Sequence, residues 1–518
     1  MKKQKISHQD WIAILDFGSQ YTQLIARRIR EQQVYSEIYP FNTDFSIFKK
    51  NQPKGIVLSG GPDSVLNENA PGISEEIFQL NIPILGICYG TQLIAKMFGG
   101  EVANSGKAEF GNTTVRICKK NQLFHGLPDS IITWMSHNDI IEKMPEGFQL
   151  SAVSLGNKVA AICNEEKSIY GLQFHPEVTH TERGKDILDN FVYRICKCSG
   201  SWTPGVFIDE ATREIKQIVG KGKVVAGVSG GIDSLVAAIL TNKAIHKQLH
   251  CIFINTGFMR KNESEEVKKV FQENFDIILY DYDYSQEFVS ALKGITDPEE
   301  KRRIIGNLFI KIFEEKARAI GGVTHLLQGT LYPDVIESVS IKGPSAKIKS
   351  HHNVGGLPDI MELKLLEPLK SLFKDEVRKI GENLGIPEKI IWRQPFPGPG
   401  LAIRIAGEVN FEKLEILREA DDIIRREIIK EGLNKSLWQY FGVLLPIKSV
   451  GVMGDLRTYD YSLVLRIVTS YDGMTADWAR LPHAFLSRIS NLLINQVKGI
   501  NRVLYDISSK PPATIEWE

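Results

Sequence analysis

Gly86-Ile87-Cys88-Tyr89-Gly90 sets a thiol between two glycines, after an apolar run at 82–87 and before a helix-like segment at 91–98. This is the spacing of a nucleophile elbow, with cysteine where serine often stands. The glycines relieve crowding where a strand turns sharply into a helix. The side chain then projects from the sheet edge at a helix N-terminus, where a thiolate is favoured. The NH of Tyr89 would point at a developing oxyanion, and a second donor is available in Ser59-Gly60-Gly61-Pro62. A thiolate needs a base, and the base an orienter. Phe174-His175-Pro176-Glu177 offers both. Pro176 biases His175 to an extended conformation, and in extended chain residues i and i+2 face one side, so Glu177 reaches the imidazole. Either residue alone is explained as core packing. The elbow, the SGGP loop and the HPE segment together favour catalysis.

A second cluster follows the strand-like Lys223–Val228: Ser229-Gly230-Gly231-Ile232-Asp233-Ser234, then a helix opening with Leu235. Glycines admit phosphates close to backbone, and helix-start NH groups bind anions. Ser229 and Ser234 add hydroxyls, and Asp233 suits Mg2+. This is not the lysine-bearing phosphate loop. Lys374 in FKDEVR would supply the missing cation, unless it is only a solvated helix lysine. Asp334 and Glu337 in GTLYPDVIES are metal ligands or merely solvated acids, and the polar loop 349–353 could face phosphate. His351 and His352 lack partners at zinc spacing, as do Cys196 and Cys198.

The elements that must carry these groups are alternating strands and helices. Apolar runs 11–17, 55–59 and 82–87 are separated by helical segments, the pattern of a parallel sheet, and strands follow in TTVRI, AAICN and SIYGLQF. The aperiodic SGSWTP (199–204) marks a boundary. The pattern then restarts with a helix at 206–219, strands KVVAGVS, HCIFINT and HLLQGT, and an amphipathic helix at 305–320. RQPFPGPG (393–400) forbids regular structure and marks a second boundary. Beyond it we expect helices at 411–432 and 483–497, strands at 448–454 and 461–469, and a last strand RVLYDIS. The predicted fold class is α/β: two Rossmann-like or flavodoxin-like parallel-sheet domains (11–202 and 203–393), then a small α+β domain (394–518). The 518 residues suffice for about three domains. With 63 basic and 62 acidic residues the net charge is +1, which argues against a nucleic-acid coat or polybasic membrane binder. Six scattered cysteines fit free thiols in a reducing cytoplasm. No run reaches the apolar length of a spanning helix.

Residues 11–200 resemble the class I glutamine amidotransferase family on the strength of the Cys88 elbow, the SGGP loop and the HPE segment. The resemblance implies that Cys88 attacks the glutamine side-chain amide, forms a glutamyl thioester and releases ammonia. His175 would be the general acid/base and Glu177 its orienter, with Gln92, Ser136 and His137 holding glutamine. SGGxDS after a strand resembles the PP-loop ATP pyrophosphatase family, which cleaves ATP between the α and β phosphates and adenylates a carbonyl oxygen. That assigns residues 229–235 to ATP. Many relatives carry an acid where Asn255 stands.

GITDPEEKRRIIG (294–306), KSHHNVGGLP (349–358), RQPFPGPGLAIR (393–404) and KPPATIEWE (510–518) resemble the GMP synthase family. This implies glutamine, ATP and XMP as substrates and Mg2+ on the leaving pyrophosphate. It also implies XMP on Lys510, Ile515 and Glu516 under a lid bearing Arg303, and a homodimer formed by the third domain. A thiolating PP-loop enzyme would need a sulfur-relay cysteine, yet Cys251 alone lies in the second domain. A non-catalytic nucleotide sensor would be expected to lose Cys88 or Asp233.

Overall fold

A computed structural model describes residues 10–271, 275–338, 363–453, 455–470 and 475–518, without the side chains of 105–108, 337–338 and 453. The polar loop 349–353 lies outside the described residues. The chain divides into two compact units, Met1–Phe207 and Ile208–Glu518.

The first unit runs β1 (Trp11–Asp16), α1 (Thr22–Glu31), β2 (Tyr35–Pro40), short α2 (Ser46–Lys50), β3 (Gly55–Leu58), short α3 (Glu76–Gln79), β4 (Ile84–Ile87) and α4 (Tyr89–Met97). Then come β5 (Glu101–Ile117), β6 (Ser130–Lys143), β7 (Gln149–Ser154), β8 (Val159–Asn164), β9 (Ile169–Leu172) and α5 (Gly184–Asp189). One nine-stranded sheet results, ordered β2-β1-β3-β4-β9-β8-β7-β5-β6. Its first five strands are parallel and the rest join antiparallel. β3 and β4 are buried at every position, as parallel strands covered on both faces must be.

A helix, α6 (Pro204–Val219), leads into the second unit. There β10 (Lys223–Gly227), α7 (Ile232–Ile245), β11 (Leu249–Asn255), α8 (Glu263–Lys269), β12 (Leu279–Asp283), α9 (Ser285–Ala291), α10 (Pro298–Ile320), β13 (Val323–Leu327), α11 (Tyr332–Ser338) and β14 (Lys364–Leu366) follow. They give an all-parallel sheet ordered β12-β11-β10-β13-β14. Next come α12 (Lys374–Asn383), α13 (Glu388–Ile391), α14 (Phe411–Lys430), β15 (Gln439–Met453), β16 (Leu456–Thr469), β17 (Asp477–Trp478), α15 (His483–Gln496) and β18 (Ile500–Tyr505). The last strands form a separate sheet, with β18 parallel to β16. One apolar core runs from Ile252 and Phe258 through Leu401 and Ile405 to Leu417, Leu465 and Ile489.

Several expected elements shift. The helix expected from 305 starts at Pro298, where Asp297 caps it by accepting from the Glu300 NH at 2.8 Å. The strand expected at 448–454 begins at Gln439. Pro446 falls in a break of its ladder between Leu444 and Lys448, the kind of position where a sheet tolerates proline.

Candidate functional site

In the first unit, the functional segments leave the carboxyl ends of three adjacent parallel strands, β3, β4 and β9. Ligands bind at this end of open α/β sheets. Cys88 therefore stands at the end of an interior strand rather than at a lateral edge. Its backbone is forced to φ 50°, ψ −106°, and its NH donates to the Leu172 carbonyl at 2.7 Å. A non-glycine residue held there is strained, as nucleophile elbows are. Gly90 has no alternative: a Cβ would meet the Leu58 carbonyl oxygen at 2.5 Å.

His175 follows β9 and is 3% exposed; Glu177 is 1% exposed. Imidazole Nδ1 meets Glu177 Oε1 at 2.7 Å. Burial alone would depress this histidine. The Glu177 charge, with hydrogen bonds to Cys88 and Glu177, outweighs burial and holds it well above its usual range. The Thr181 hydroxyl donates to the His175 carbonyl at 2.6 Å, Arg28 Nε donates to the Glu177 carbonyl at 3.1 Å, and the Tyr21 ring meets His175 edge-on at 5.1 Å. The Cys88 thiol donates to the Ser136 carbonyl at 3.7 Å and receives Gln173 Nε2 at 3.8 Å.

The glycine loop closes the other side. A Cβ on Gly60 would meet His175 Cε1 at 3.1 Å, and one on Gly61 would meet Tyr89 Cγ at 3.3 Å. Tyr89 opens α4, so its NH is one of the first-turn donors a helix leaves unbonded. Thus Cys88, His175, Glu177, Gly60, Gly61, Tyr89 and Ser136 converge. His137 lies close by: Nδ1 meets the Asp139 carbonyl at 3.0 Å and Nε2 lies 3.5 Å from Glu109, while burial lowers its pKa against the pull of Glu109. Gln92 is buried and donates to the Asp139 carbonyl at 2.9 Å. Gln173, Thr181 and Tyr21 escaped the sequence reading. Gln173 was recoverable, because it stands two residues before His175 on an extended chain.

In the second unit the glycine loop again follows a parallel strand, β10, flanked by β11 and β13. A cavity of about 420 Å³ is lined by residues 229–234, Gln328–Thr330, Asp334, Lys374 and Arg393–Gly398. Gly230 takes φ +77°, and a Cβ there would strike Val267 at 2.5 Å. Leu235 is buried on the first turn of α7. The Ser234 hydroxyl donates to the Gly231 carbonyl at 3.0 Å. Lys374 opens α12 and its ammonium pairs directly with Asp233 Oδ2, while Asp233 Oδ1 is buried with no hydrogen bond. Asp334 lies in the same cavity and accepts the Leu331 NH at 2.9 Å. Glu337 lies outside the described side chains. Asn255 accepts the Gly257 NH at 3.0 Å, a turn-forming contact. The segment read as a boundary, Arg393–Gly398, is cavity wall.

The 510–518 tail is held in place. Arg404, fully buried, grips Glu516 at 3.0 and 2.7 Å, and Arg466 donates to the Ser508, Thr514 and Ile515 carbonyls. Ile515 packs on Phe441, Val443 and Val464. The Lys510 backbone pairs with Ala476. Arg303 is exposed on α10 and pairs with Glu300 at 3.3 Å, while its neighbours Lys301 and Arg302 hold Glu518.

Residues 13–195 match the Glutamine amidotransferase class-I family, 207–325 the NAD synthase family, and 426–517 the GMP synthase C terminal domain family. "GMP synthase [glutamine-hydrolyzing]" of Caldicellulosiruptor saccharolyticus is 56% identical over 508 residues, covering 98% of this chain and 99% of that protein. The proteins of the same name from Aquifex aeolicus and Brachyspira hyodysenteriae are 57% and 55% identical, each over 98% of this chain and 99% of their own length. With that identity over nearly the whole length, the chain belongs to the glutamine-hydrolysing GMP synthase family.

Proposed function

We infer that this chain converts XMP, ATP, glutamine and water into GMP, AMP, pyrophosphate and glutamate. It is a carbon–nitrogen ligase of guanine nucleotide synthesis that takes nitrogen from glutamine. Residues 11–202 hydrolyse glutamine, 203–393 adenylate XMP, and 394–518 bind XMP and form a homodimer.

The observation that carries the first half is the strained Cys88 elbow beside the 2.7 Å His175–Glu177 pair. Cys88 passes its proton to His175, and its sulfur attacks the glutamine amide carbon. The NH groups of Tyr89 and the Gly60–Gly61 loop receive the oxyanion. His175 gives a proton to the leaving nitrogen, so ammonia departs and a thioester remains. His175 then takes a proton from water, which cleaves the thioester to glutamate. Glu177 holds the imidazole. Ser136 and His137 flank the substrate, and Gln92 shapes that wall through Asp139.

In the second unit residues 229–235 and Lys374 cradle the ATP phosphates, and the C2 oxygen of XMP takes the adenylyl group. Ammonia then adds at C2 and AMP leaves with the oxygen. Asp233 fits Mg2+, since one of its carboxylate oxygens is buried without a partner and Asp334 shares the cavity. The metal, when bound, neutralises charge on the departing pyrophosphate. Lys510 would pair with the XMP phosphate, Ile515 would pack on the purine ring, and Glu516 would accept from purine NH or ribose OH groups. Arg303 sits on the segment that would cover it.

Val450, Val452 and Tyr459 stand exposed on one face of the β15–β16 hairpin, and Ile447 and Leu456 on the other, apolar surface that a second copy would cover. No described helix is long and apolar enough to cross a membrane. The described cysteines are all free thiols, which fits a cytoplasmic enzyme.

The test is pyrophosphate release from ATP, with and without XMP, first with glutamine and then with ammonium. XMP-dependent release with either donor, with GMP appearing, is expected. No release with XMP under either donor would refute the reading.

A further inference from the structure

We propose that Asp421 is a positioning residue for the amination reaction: one buried carboxylate sets the two arginines that tie the acceptor-binding tail to the rim of the nucleotide cavity. The proposal rests on the reading that the 510–518 tail holds XMP.

Asp421 lies on the inner face of α14 among Leu417, Ala420, Ile424 and Ile428, and is 1% exposed. A lone acid among apolar neighbours is costly unless its charge is compensated. Arg260 Nε lies 3.6 Å from one of its oxygens and Arg404 Nη1 3.9 Å from the other. Neither oxygen makes a hydrogen bond among the described residues, and neither does the Arg260 guanidinium. Asp421 therefore acts as a counter-ion shared by two cations and not as a hydrogen-bonded strut.

The two arginines lead in different directions. Arg404 grips Glu516 of the tail through Nε and Nη2. Arg260 donates its backbone NH to Glu263 Oε2 at 3.1 Å, and Glu263 Oε1 meets Arg393 at 3.2 Å. The Phe396 ring lies under both guanidinium groups, 4.1 Å from Arg260 and 5.2 Å from Arg404. Glu263, Arg393 and Phe396 all line the cavity that contains the 229–234 loop. Burial, with Arg404 and Arg425 adding to it, lowers the Arg260 pKa to about 10 even with Glu263 and Asp421 beside it. Each cation is thus sensitive to the placement of the other, because charges this buried interact through a low dielectric. A buried charge cluster is weak evidence for stability alone. One that joins a substrate tail to a second substrate's cavity sets geometry: a shift of Glu516 moves Arg404, and with it the field at Arg260 and the Phe396 wall.

Asp421→Asn keeps the shape and removes the charge. In ammonium-dependent synthesis the KM for XMP should rise about ten-fold or more, as with other outer-shell partners. Turnover at saturating XMP should fall much less, and Asp421→Glu should recover part of the loss. A KM for XMP within about two-fold of the parent overturns the proposal. If the Asn variant does not fold, hydrogen exchange on the parent chain decides. XMP alone should protect residues 257–266 as well as the tail, and protection of the tail without 257–266 overturns the proposal. Failure of the underlying reading looks different: XMP then protects neither segment, and Lys510→Ala leaves the KM for XMP unchanged.

Discussion

Cys88 and Asp233 occupy like places, each just past the carboxyl end of a parallel strand near the start of a helix, but their surroundings differ. Cys88 is met by the chain's own groups: Gln173 and Ser136 on the thiol, with His175 already paired to Glu177. Asp233 borders an open cavity, with one carboxylate oxygen on Lys374 and the other unmatched. Covalent catalysis needs a nucleophile, a base and an orienter aligned before substrate arrives, and all three are side chains. Adenylyl transfer relies on positioning and charge neutralisation, and its phosphates and metal come with the substrate. A fold can therefore finish the first site alone but supplies only walls and charges for the second.

The sharpest way to break this comparison is to remove each centre in turn. Cys88→Ala should lower glutamine-dependent GMP synthesis by about 10⁴-fold or more, the scale of losing a nucleophile. Ammonium-dependent synthesis should persist. Loss of both would mean the two sites are not separate. Asp233→Ala should lower synthesis with either donor by roughly 10³-fold, the scale of a lost electrostatic contact in the transition state. Alkylation of Cys88 by a glutamine-like chloroketone should continue unchanged. Ammonium-dependent GMP formation near the parent rate would remove Asp233 from the adenylation site.

Glu177→Gln tests whether the first site is finished electrostatically. The expected loss of glutaminase is on the order of 10³-fold, somewhat below the effect known for the serine-protease orienter. The sign of its pH dependence is set by His175, whose folded pKa lies well above 6.5. A histidine raised on folding contributes stability that is full below its unfolded pKa and is lost as pH rises through the folded value. In the Gln variant burial is no longer opposed by the carboxylate charge, and the imidazole falls. Thermal melts should therefore show the largest deficit against the parent near pH 6, narrowing toward alkaline pH. A deficit that does not change with pH would mean Glu177 supports the fold without charging His175.

What could be read from sequence was what covalent spacing fixes. The elbow, the i, i+2 pairing of His175 with Glu177, and the SGGIDS turn after β10 are local, and each lies where its motif requires. Residues joined only through tertiary structure were invisible. Glu109 faces His137 because the β5–β6 ladder, after its shift between Asn104 and Glu109, sets them opposite, and Asp421 meets Arg260 and Arg404 from outside its own helix. RQPFPGPG shows why backbone rules stop short of function: they mark an irregular segment without saying that it walls a cavity. The strand Gln439–Leu444 was missed because Gly442 and Pro446 mask its pattern, although Gly442 lies where a Cβ would press on Leu463 and Ile424.

Lys374 gives the smallest and most discriminating test of the second site. Its ammonium pairs with Asp233 yet remains about a third exposed, at 35%. Solvent screens such a pair, so its contribution to stability is small, about 1 kcal/mol or less. If Lys374 serves ATP, Lys374→Ala should raise the KM for ATP about ten-fold, roughly 1.4 kcal/mol of binding, and leave the melting temperature nearly unchanged. The Mg2+ concentration for half-maximal synthesis should stay where it is, measured at saturating ATP. If instead Lys374 only occupies Asp233 until a metal replaces it, removing the competing cation lowers that Mg2+ requirement and leaves the KM for ATP alone. That second outcome would give the loop no lysine cation for phosphate, and the charge on the departing pyrophosphate would fall to the metal and the backbone NH groups at the start of α7.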